Sequence, residues 1–362
     1  MRFQEEFRDR AIMETLRETL HREASRLPRE VTFMEVCGTH TMSIYQYGIR
    51  SLLPPGIRLV SGPGCPVCVT PNDYLDRAIA MSRLPDVTIA TFGDMMRVPG
   101  SSSSLMHERA RGGDIRVVYS PLDAVRLAGS LPGRLVVFLG VGFETTAPTV
   151  AASILAAAGM KNFFVLASHK TMPRPMEILG SDPEIGITGF ICPAHVSTVT
   201  GVAPYLPLAE RGLPCVITGF EPTDVLRGII QLVRQVVEGR SRVEIEYSRA
   251  VKPEGNPRAR MIMEKVFEPC DAIWRGIGMI PGSGLAIREE YGGFDAARNI
   301  PVEVPPSVEH PGCRCGDVLK GKLSPTGCPL FGRVCTPDEP VGSCMVSSEG
   351  TCAAAWKYGG ER

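Results

Sequence analysis

The chain has 362 residues, more than one hydrophobic core usually contains, so we expect two or three domains. Lys plus Arg and Asp plus Glu both number 39, and a chain of zero formal net charge lacks the overall positive field that attracts nucleic acids or anionic membranes. With 44% hydrophobic and 22% charged residues, the composition is that of a folded globular protein rather than a disordered one.

Targeting segments are not expected in this sequence. The amino-terminal stretch MRFQEEFRDR contains acidic residues and lacks the apolar region of a secretory signal, and no run of about 18 apolar residues occurs. We therefore predict a cytoplasmic protein that neither spans a membrane nor binds nucleic acid. The chain also has 12 cysteines, and in a reducing compartment this number favours metal or redox chemistry over structural disulfides.

Periodic apolar residues predict the elements of secondary structure. Helical spacing from Phe3 to Leu27 predicts an amphipathic helix that ends before Pro28. Short apolar segments predict strands at 31–36, 57–60, 86–92, 115–119, 134–140, 163–168, 185–190 and 215–220. Helices are predicted at 71–83, 120–128, 145–158 and 221–237, the first of them with Thr70 as its N-cap. Apolar strands that alternate with helices indicate parallel sheets of the α/β class.

The pattern changes after about residue 240, where Gly and Pro clusters replace the alternation of strands and helices. We expect two parallel-sheet α/β domains around a cleft, with bounds 1–120 and 121–240, and a loop-rich iron–sulfur domain over residues 241–362. The first domain contains the CGTH and CPVC motifs. The third has too little apolar periodicity to order itself, so a metal centre is predicted to stabilise it.

Six cysteines fall between residues 313 and 352. Four of them are separated by six, eight and seven residues, namely Cys328, Cys335, Cys344 and Cys352. Zinc sites usually use paired C-x2–4-C knuckles, so this open spacing favours a [4Fe–4S] cluster over zinc. Cys313 and Cys315 are close enough in sequence to replace one of the four.

Two further cysteine motifs follow predicted strands. In SGPGCPVCVTP, Cys65 and Cys68 form a C-x-x-C before a helix, which favours a redox-active pair over half of a metal site or a turn with two inert thiols. In EVCGTHT, Cys37 is a candidate nucleophile or soft metal ligand, with His40 as its base or as a second ligand. A buried cysteine with an incidental histidine is the alternative for this second motif.

Polar residues follow several other predicted strands. Asp94, Glu144, His169, Lys170 and His195 are the examples. Because ligands bind at the carboxyl ends of strands in open α/β sheets, these residues predict a shared cleft. A nucleotide cofactor is not predicted, since no P-loop sequence occurs and the Gly-Val-Gly near residue 140 lacks the third glycine of a dinucleotide fingerprint.

Taken together, these motifs resemble those of the HypD family of [NiFe]-hydrogenase maturation factors. The motifs that carry the resemblance run nearly end to end: EVCGTHT, SGPGCPVCVTP, GFETTAPTVA, SHKTMP, HVSTVTG, GFEPTDVL and CPLFGRVCTPDEPVGSCMVSSEGTCAA. The resemblance implies two α/β domains that flank a cleft and a [4Fe–4S] domain. It also implies a scaffold on which the Fe(CN)2(CO) group is assembled as transient cargo, in complex with a HypC-type small chaperone and a HypE-type cyanide donor.

The resemblance also implies roles for individual residues. Cys37 would hold the iron together with a cysteine of the chaperone, with His40 as its neighbour. Cys65 and Cys68 would relay electrons from a cluster held by Cys328, Cys335, Cys344 and Cys352. The supporting residues near the cleft or the cluster would be Asp94, His195 and Glu349. Such a protein is a redox-active assembly factor rather than a turnover enzyme.

Two other functions fit the same residues. The first is a stand-alone iron–sulfur-dependent thiol/disulfide reductase, in which Cys65 and Cys68 are the active dithiol and Cys37 is structural. The second is a zinc-stabilised protein-binding module.

Overall fold

The computed structural model describes residues 8–360 and contains two β-sheets with helices on their faces. Sheet 1 is entirely parallel and has the strand order β2-β1-β7-β8-β9. Its strands are β1 (Val31–Glu35), β2 (Ile57–Ser61), β7 (Gly189–Pro193), β8 (Cys215–Thr218) and β9 (Val243–Ile245). Val31 pairs with Ile57 and Phe33 with Gly189, so β1 is an interior strand of this sheet, between the edge strand β2 and the central strand β7.

Sheet 2 is mixed and has the strand order β10-β11-β6-β5-β3-β4. Its strands are β3 (Val87–Thr91), β4 (Asp114–Val117), β5 (Leu135–Gly142), β6 (Phe163–Lys170), β10 (Phe267–Trp274) and β11 (Gly278–Ile287). The four strands from β3 to β6 are parallel, whereas β11 runs antiparallel to β6 and β10 antiparallel to β11.

Fourteen α-helices occur within the described residues. They are α1 (Arg10–Ala24), α2 (Gly38–Gln46), α3 (Asn72–Ser82), α4 (Leu105–Ala110), α5 (Pro121–Ser130), α6 (Ala147–Ala156), α7 (Pro173–Gly180), α8 (Ala194–Thr200), α9 (Leu206–Glu210), α10 (Pro222–Val237), α11 (Pro257–Val266), α12 (Ala296–Asn299), α13 (Cys315–Leu319) and α14 (Thr351–Tyr358). None of these helices combines the length and the apolar character needed to span a bilayer.

The first helix begins later than its predicted apolar pattern. Phe3 and Phe7 lie outside the described residues, and α1 begins at Arg10 after Asp9. The Asp9 carboxylate accepts from Ala11 N at 2.7 Å, which satisfies one of the free N–H groups at the helix start. The apolar side of α1 packs against α10, so this helix covers one face of sheet 1.

Neither sheet is built from one continuous stretch of sequence. The chain forms β1 and β2 of sheet 1, then β3 to β6 of sheet 2, then returns to sheet 1 and finally adds β10 and β11 to sheet 2. The predicted bounds at residues 120 and 240 therefore do not coincide with the sheets. The α/β class itself is confirmed, with two sheets of which one is parallel and the other mixed.

Two strand predictions differ from the structure. The strand predicted at 185–190 lies at Gly189–Pro193, since the apolar residues before Gly189 pack beneath sheet 1 without joining it. The hairpin of β10 and β11 lies in the region predicted to be loop-rich. The Pro and Gly residues of the hairpin are typical of loops, so the sequence pattern did not indicate strands. Strand β10 accommodates a proline because it is the edge strand of sheet 2.

The loop-rich character begins after α12. From Ile300 onward the described chain contains only short helices and turns, and six cysteines lie among them. The last helix, α14, packs against α2, which directly follows Cys37. The carboxy-terminal segment is therefore attached to sheet 1 at the end of its interior strand β1.

Candidate functional site

Cys37 lies between strand β1 and helix α2, where it is the N-cap residue of the helix. Its backbone N–H donates to Glu35 Oε2 at 3.1 Å, and the Thr41 hydroxyl donates to Glu35 Oε1 at 2.5 Å. Glu35 is fully buried, so its carboxyl group joins the end of the strand to the first turn of the helix. This strand–turn–helix unit holds Cys37 in a position where only 7% of the residue is exposed.

The surroundings of Cys37 favour the protonated thiol. Burial, and then the nearby Glu349 carboxylate, raise the pKa of the Cys37 thiol to about 12, although the N–H groups of His40 and Thr39 act in the opposite direction. Cys37 is therefore a poor free nucleophile at pH 7. A soft metal ion that binds the sulfur would displace this proton, which makes Cys37 better suited to be a ligand than a nucleophile.

His40 is fully buried and held by backbone carbonyls. Its Nε2 lies 2.9 Å from Thr218 O and 3.0 Å from Gly219 O, so Nε2 is the protonated nitrogen. Burial lowers the pKa of His40 to about 4, and the ring is neutral at pH 7. Its Nδ1 has no hydrogen-bond partner within residues 8–360. His40 can therefore accept a proton or a hydrogen bond through Nδ1.

His195 reaches the same region from the end of β7. The Phe220 ring lies between the two histidines, with its centroid 4.8 Å from that of His40 and 4.1 Å from that of His195. His195 is exposed, whereas His40 is buried. The structure thus brings together two of the predicted residues at the carboxyl edge of sheet 1.

The Glu349 carboxylate lies near the Cys37 thiol, and Asp94 lies near Glu349. The Thr39 hydroxyl donates to Glu349 Oε1 at 2.9 Å, and Ser347 Oγ donates to Asp94 Oδ2 at 2.8 Å. Burial, and then the Asp94 charge, raise the pKa of Glu349. A Cβ atom on Gly38 would lie only 2.3 Å from the Glu349 Cβ, so the carboxy-terminal segment packs directly on the CGTH turn.

Cys65 and Cys68 form a disulfide beside Cys37. Their Cα atoms are 5.2 Å apart, and Cys68 N donates to Cys65 Sγ at 3.2 Å. Just before this pair, Gly64 O accepts from Gly38 N at 3.0 Å. The CPVC turn therefore lies against the backbone of the CGTH turn.

The structure corrects the helix start predicted after the CPVC motif. Helix α3 begins at Asn72 with Pro71 as its N-cap, and the Thr70 hydroxyl donates to Pro66 O at 2.8 Å instead of capping the helix. Cys65 is consequently in a separate turn. The partial positive charge at the start of α3, which would stabilise a thiolate, therefore does not lie at Cys65, and the N–H group at Cys65 Sγ is that of Cys68.

All six carboxy-terminal cysteines line one small cavity. Its cysteines are Cys313, Cys315, Cys328, Cys335, Cys344 and Cys352. The thiols interact in a series that runs from Cys313 to Cys315, then to Cys344 and then to Cys352, so Cys315 and Cys344 are its two inner members. The remaining lining is largely apolar, including Leu330 and Phe331.

The donor chemistry of this cavity fits an iron–sulfur cluster. Thiolates are the usual ligands of such clusters, and an apolar shell limits access of water. Within residues 8–360, no three His, Cys, Asp or Glu side chains are arranged to hold a single metal ion. The cavity offers six thiols where a [4Fe–4S] cluster needs four, so Cys313 and Cys315 stay alternatives to the four predicted ligands.

Ser343 connects the cysteine cavity with the disulfide. Its hydroxyl donates to Cys68 O at 2.8 Å, and its own carbonyl lies 3.9 Å from Cys68 Sγ. Ser343 immediately precedes Cys344, whose thiol faces the cavity. The disulfide therefore lies between the cavity on one side and the Cys37 turn on the other.

Three of the polar residues at strand ends are buried in the interior. Glu144 accepts from Met172 N at 3.0 Å, and the His169 ring packs 5.2 Å from that of Phe267. Lys170 is also buried. The structure therefore brings Asp94 and His195 to the Cys37 region, but it directs Glu144, His169 and Lys170 to other neighbours.

His169 predicts a measurable pH dependence of stability. Burial, and then the Lys170 charge, lower the pKa of His169 to about 3, so between pH 6.5 and 3 the unfolded chain binds a proton that the folded chain does not. This contribution to stability is complete above pH 6.5 and is lost as the pH falls. From pH 7 to pH 5 the loss amounts to about 2 kcal/mol. We expect His169→Met to remove it, as measured by urea unfolding of both proteins at the two pH values.

The contribution of His169 is obtained by subtracting the loss of unfolding free energy in His169→Met from the loss in wild type. The contributions of other titrating groups are the same in both proteins and cancel in this difference. If wild type and His169→Met lose equal free energy of unfolding between pH 7 and pH 5, His169 is not buried as a neutral ring.

Sequence reasoning missed three residues that shape the site. Glu35 lies inside a predicted strand. Phe220 lies in the GFEPTDVL motif, which was used only for the family resemblance, and Ser343 is the neighbour of Cys344. The GFEP motif could have identified Phe220, because it follows the end of β8 as His195 follows the end of β7. No local signal in the sequence distinguishes Glu35 or Ser343.

Comparisons with known proteins agree with one another. The profile of the family described as "HypD: Hydrogenase formation hypA family" matches residues 11–359. The chain is 46% identical to the hydrogenase expression/formation protein HupD of Azotobacter chroococcum, over 100% of this chain and 98% of that protein. It is also 46% identical to the hydrogenase maturation factor HypD of Rhodobacter capsulatus, over 100% and 99%. A putative hydrogenase expression/formation protein of Methanocaldococcus jannaschii is 45% identical over 97% and 98%.

Proposed function

This chain belongs to the HypD family of hydrogenase maturation factors, and we propose that it is the scaffold on which the Fe(CN)2(CO) group of [NiFe]-hydrogenases is assembled. The observation that carries the proposal is the order of the cysteines in space. The Cys37 turn contacts Gly64, the disulfide follows Gly64, and Ser343 connects the disulfide with the cysteine cavity. Such a series suits a protein that holds iron at one end and receives electrons at the other.

Cys37 is proposed to hold the iron as a thiolate. A soft sulfur ligand suits low-spin iron that carries cyanide and CO. The raised pKa of the free thiol keeps it protonated until iron binds, and the nearby Glu349 carboxylate is the group proposed to accept the proton. His40 stays neutral at pH 7, so it does not add a second positive charge beside the iron.

The Cys65–Cys68 pair is proposed to be the redox-active dithiol. Reduction takes up two electrons and two protons and opens the disulfide to two thiols, and oxidation reverses these steps. A [4Fe–4S] cluster, held by Cys328, Cys335, Cys344 and Cys352, would supply electrons one at a time. The contacts of Ser343 with Cys68 support this direction of transfer, since they place the dithiol against the residue that precedes Cys344.

The proposed partners are a HypC-type small chaperone and a HypE-type cyanide donor. A cysteine of the chaperone would be the second sulfur ligand of the iron. Cys37 itself is nearly buried, whereas His195 beside it is exposed. The partners are therefore expected to approach over His195 and Phe220, at the carboxyl edge of sheet 1.

A stand-alone thiol/disulfide reductase is the competing function, because the disulfide and the cysteine cavity alone would suffice for it. The two functions assign different roles to Cys37. In a scaffold it is essential, whereas in a reductase it is a buried structural residue.

Maturation in cells separates the two functions. In a hydrogenase-producing host that lacks its own protein of this family, wild-type chain is expected to restore hydrogenase activity, and Cys37→Ala is expected to reduce it by about a hundredfold or more, since no other group replaces the sulfur ligand. Cys65→Ser is expected to abolish activity under both functions. The measurement is hydrogen-dependent dye reduction in cell extracts.

The matched control is Cys270→Ser, which removes a half-buried thiol of strand β10 and is expected to retain activity. Full activity of Cys37→Ala, at equal protein level, would favour the reductase and overturn the scaffold.

A further inference from the structure

A second cavity lies close to the CPVC segment, because Arg275, one of its lining residues, donates through its backbone N–H to Val69 O. It borders the first residue of α3, the turn around Ser101 and the extended chain at residues 308–311, which we call the strap. Counting the space at its mouth, the cavity has a volume of about 720 Å³. The proposed function does not use it.

The most unusual side chain in this cavity is Arg275, in the turn between β10 and β11. Its side chain is only 2% exposed. Within residues 8–360, neither Nε nor Nη1 of Arg275 has a hydrogen-bond acceptor. A buried guanidinium is usually paired with a carboxylate, a phosphate or several carbonyl groups, because it loses its hydration on burial. Nε and Nη1 therefore lack the close anionic acceptor that such a position requires, although the Arg275 charge also acts on the Cys313 and Cys315 thiols of the cysteine cavity.

Glu309 of the strap only partly compensates the charge. Its Oε1 lies 3.5 Å from Arg275 Nε, which is longer than a charge-assisted hydrogen bond, and its side chain is 47% exposed. Glu309 can therefore turn into solvent when a better anion arrives. In the absence of such an anion it competes weakly for Arg275.

The positions of Asn72 and Ser101 at this cavity suit a ligand that carries both a negative charge and a hydroxyl group. Asn72 Nδ2 donates to Val308 O at 2.8 Å, while the buried Oδ1 of Asn72 has no donor within the described chain. Ser101 Oγ accepts from Val308 N at 2.7 Å. An oxyanion that carries a hydroxyl can accept from Arg275 and donate to Asn72.

The remaining charged and titratable groups do not oppose an anion strongly. Asp76 accepts from Ser101 N at 2.7 Å and from Ser101 Oγ at 2.6 Å, so both oxygens of its carboxylate are hydrogen-bonded to the Ser101 turn. His310 Nδ1 accepts from Gly312 N at 3.1 Å. The positive end of the α3 dipole also lies at Asn72 and favours a negative ligand.

We propose that this cavity binds a phosphate group, with Arg275 as its principal donor and Asn72 as acceptor from a P–OH group. Binding displaces Glu309 and fixes the strap over the ligand. Arg275 N also donates to Val69 O at 2.9 Å, immediately after Cys68. The ligand would consequently lie beside the disulfide segment, at a site separate from Cys37.

The test is calorimetric titration of the full chain with inorganic phosphate at constant ionic strength, with chloride as the reference anion. Saturable binding of one phosphate per chain is expected. Glu309→Gln removes the competing carboxylate and is expected to raise the affinity severalfold, whereas Arg275→Met is expected to lower it by about tenfold or more. Glu303→Gln, on the same extended segment, is the matched control and is expected to leave the affinity unchanged.

A second arm uses glycerol phosphate to identify the source of the group. Tighter binding of the ester points to the end of a small metabolite, and preference for inorganic phosphate points to the free ion. No saturable binding of either compound to wild type overturns the proposal. If Arg275→Met does not fold, Glu309→Gln decides, because an unchanged affinity in that variant excludes this cavity as the site.

Discussion

Replacing Gly64 with alanine is expected to destabilise the protein by about 3 kcal/mol and to displace the disulfide segment from Cys37. A Cβ atom at Gly64 would lie 2.2 Å from Cys37 N, 2.4 Å from Val36 C and 2.5 Å from Cys37 Cα. All three are backbone atoms, so no side chain can rotate away. Both segments are also fixed, since Gly64 O accepts from Gly38 N and β1 is paired on both sides, with β2 and β7.

The measurement is urea unfolding of Gly64→Ala and of a matched variant, Gly129→Ala. Gly129 lies in helix α5 with no atom within 4 Å of an added Cβ. Alanine there is expected to stabilise the helix by up to about 1 kcal/mol. Wild-type stability of Gly64→Ala would mean that the CPVC and CGTH turns do not touch as described, and the proposed route between them would fail.

Replacing Cys344 with serine is expected to remove the iron–sulfur cluster and to disorder the carboxy-terminal segment. The Cys344 thiol interacts with those of Cys315 and Cys352, and the Cys344 carbonyl would lie 2.1 Å from a Cβ on Gly350, so the chain is tightly packed around Cys344. The segment from Ile300 has few elements of its own and depends on its ligands for order. Iron per chain is expected to fall from about four to below about one.

Iron analysis and visible absorbance of anaerobically purified protein measure this effect. Limited proteolysis reports the order of the segment. Cys313→Ser and Cys315→Ser, examined in parallel, decide whether either thiol replaces one of the four predicted ligands. Four irons per chain in Cys344→Ser would exclude Cys344 as a ligand, whereas wild-type protein with zinc and no iron would favour the zinc-stabilised module.

The sequence predicted the buried parallel strands well, but it missed the short parallel strand β9 (Val243–Ile245), whose three residues are only partly buried. Strands such as β5 (Leu135–Gly142) are continuous apolar runs bounded by Gly and Pro, a pattern that depends little on distant residues. The hairpin of β10 and β11 is different. It lies at an edge, its exposure alternates, and its Pro and Gly residues read as a loop.

The order in which strands join a sheet was not predictable from local patterns. Each strand shows that it is buried, but not which neighbour it pairs with. The chain leaves sheet 1 after Ser61 and returns at Gly189, and only tertiary packing determines that exchange. Contiguous bounds at 120 and 240 were the simplest assumption, and the sheets do not follow them.

The cysteine motifs identified the chemistry of the site but not its geometry. Spacing alone grouped the six carboxy-terminal cysteines, and all six line one cavity. The hydrogen bond from Ser343 to Cys68 joins residues 275 positions apart, and neither local sequence contains a pattern that predicts this contact. The same holds for Arg275, whose burial follows from a turn that was predicted as loop.

Infrared spectroscopy tests the central claim most directly, namely that Cys37 holds the iron that carries cyanide and CO. Protein isolated anaerobically with its small chaperone from a hydrogenase-producing host is expected to show cyanide and CO stretching bands, which lie where proteins absorb little. The same preparation of Cys37→Ala is expected to show none, while Cys270→Ser retains them. Absence of the bands from wild type, or their persistence in Cys37→Ala, would contradict the account.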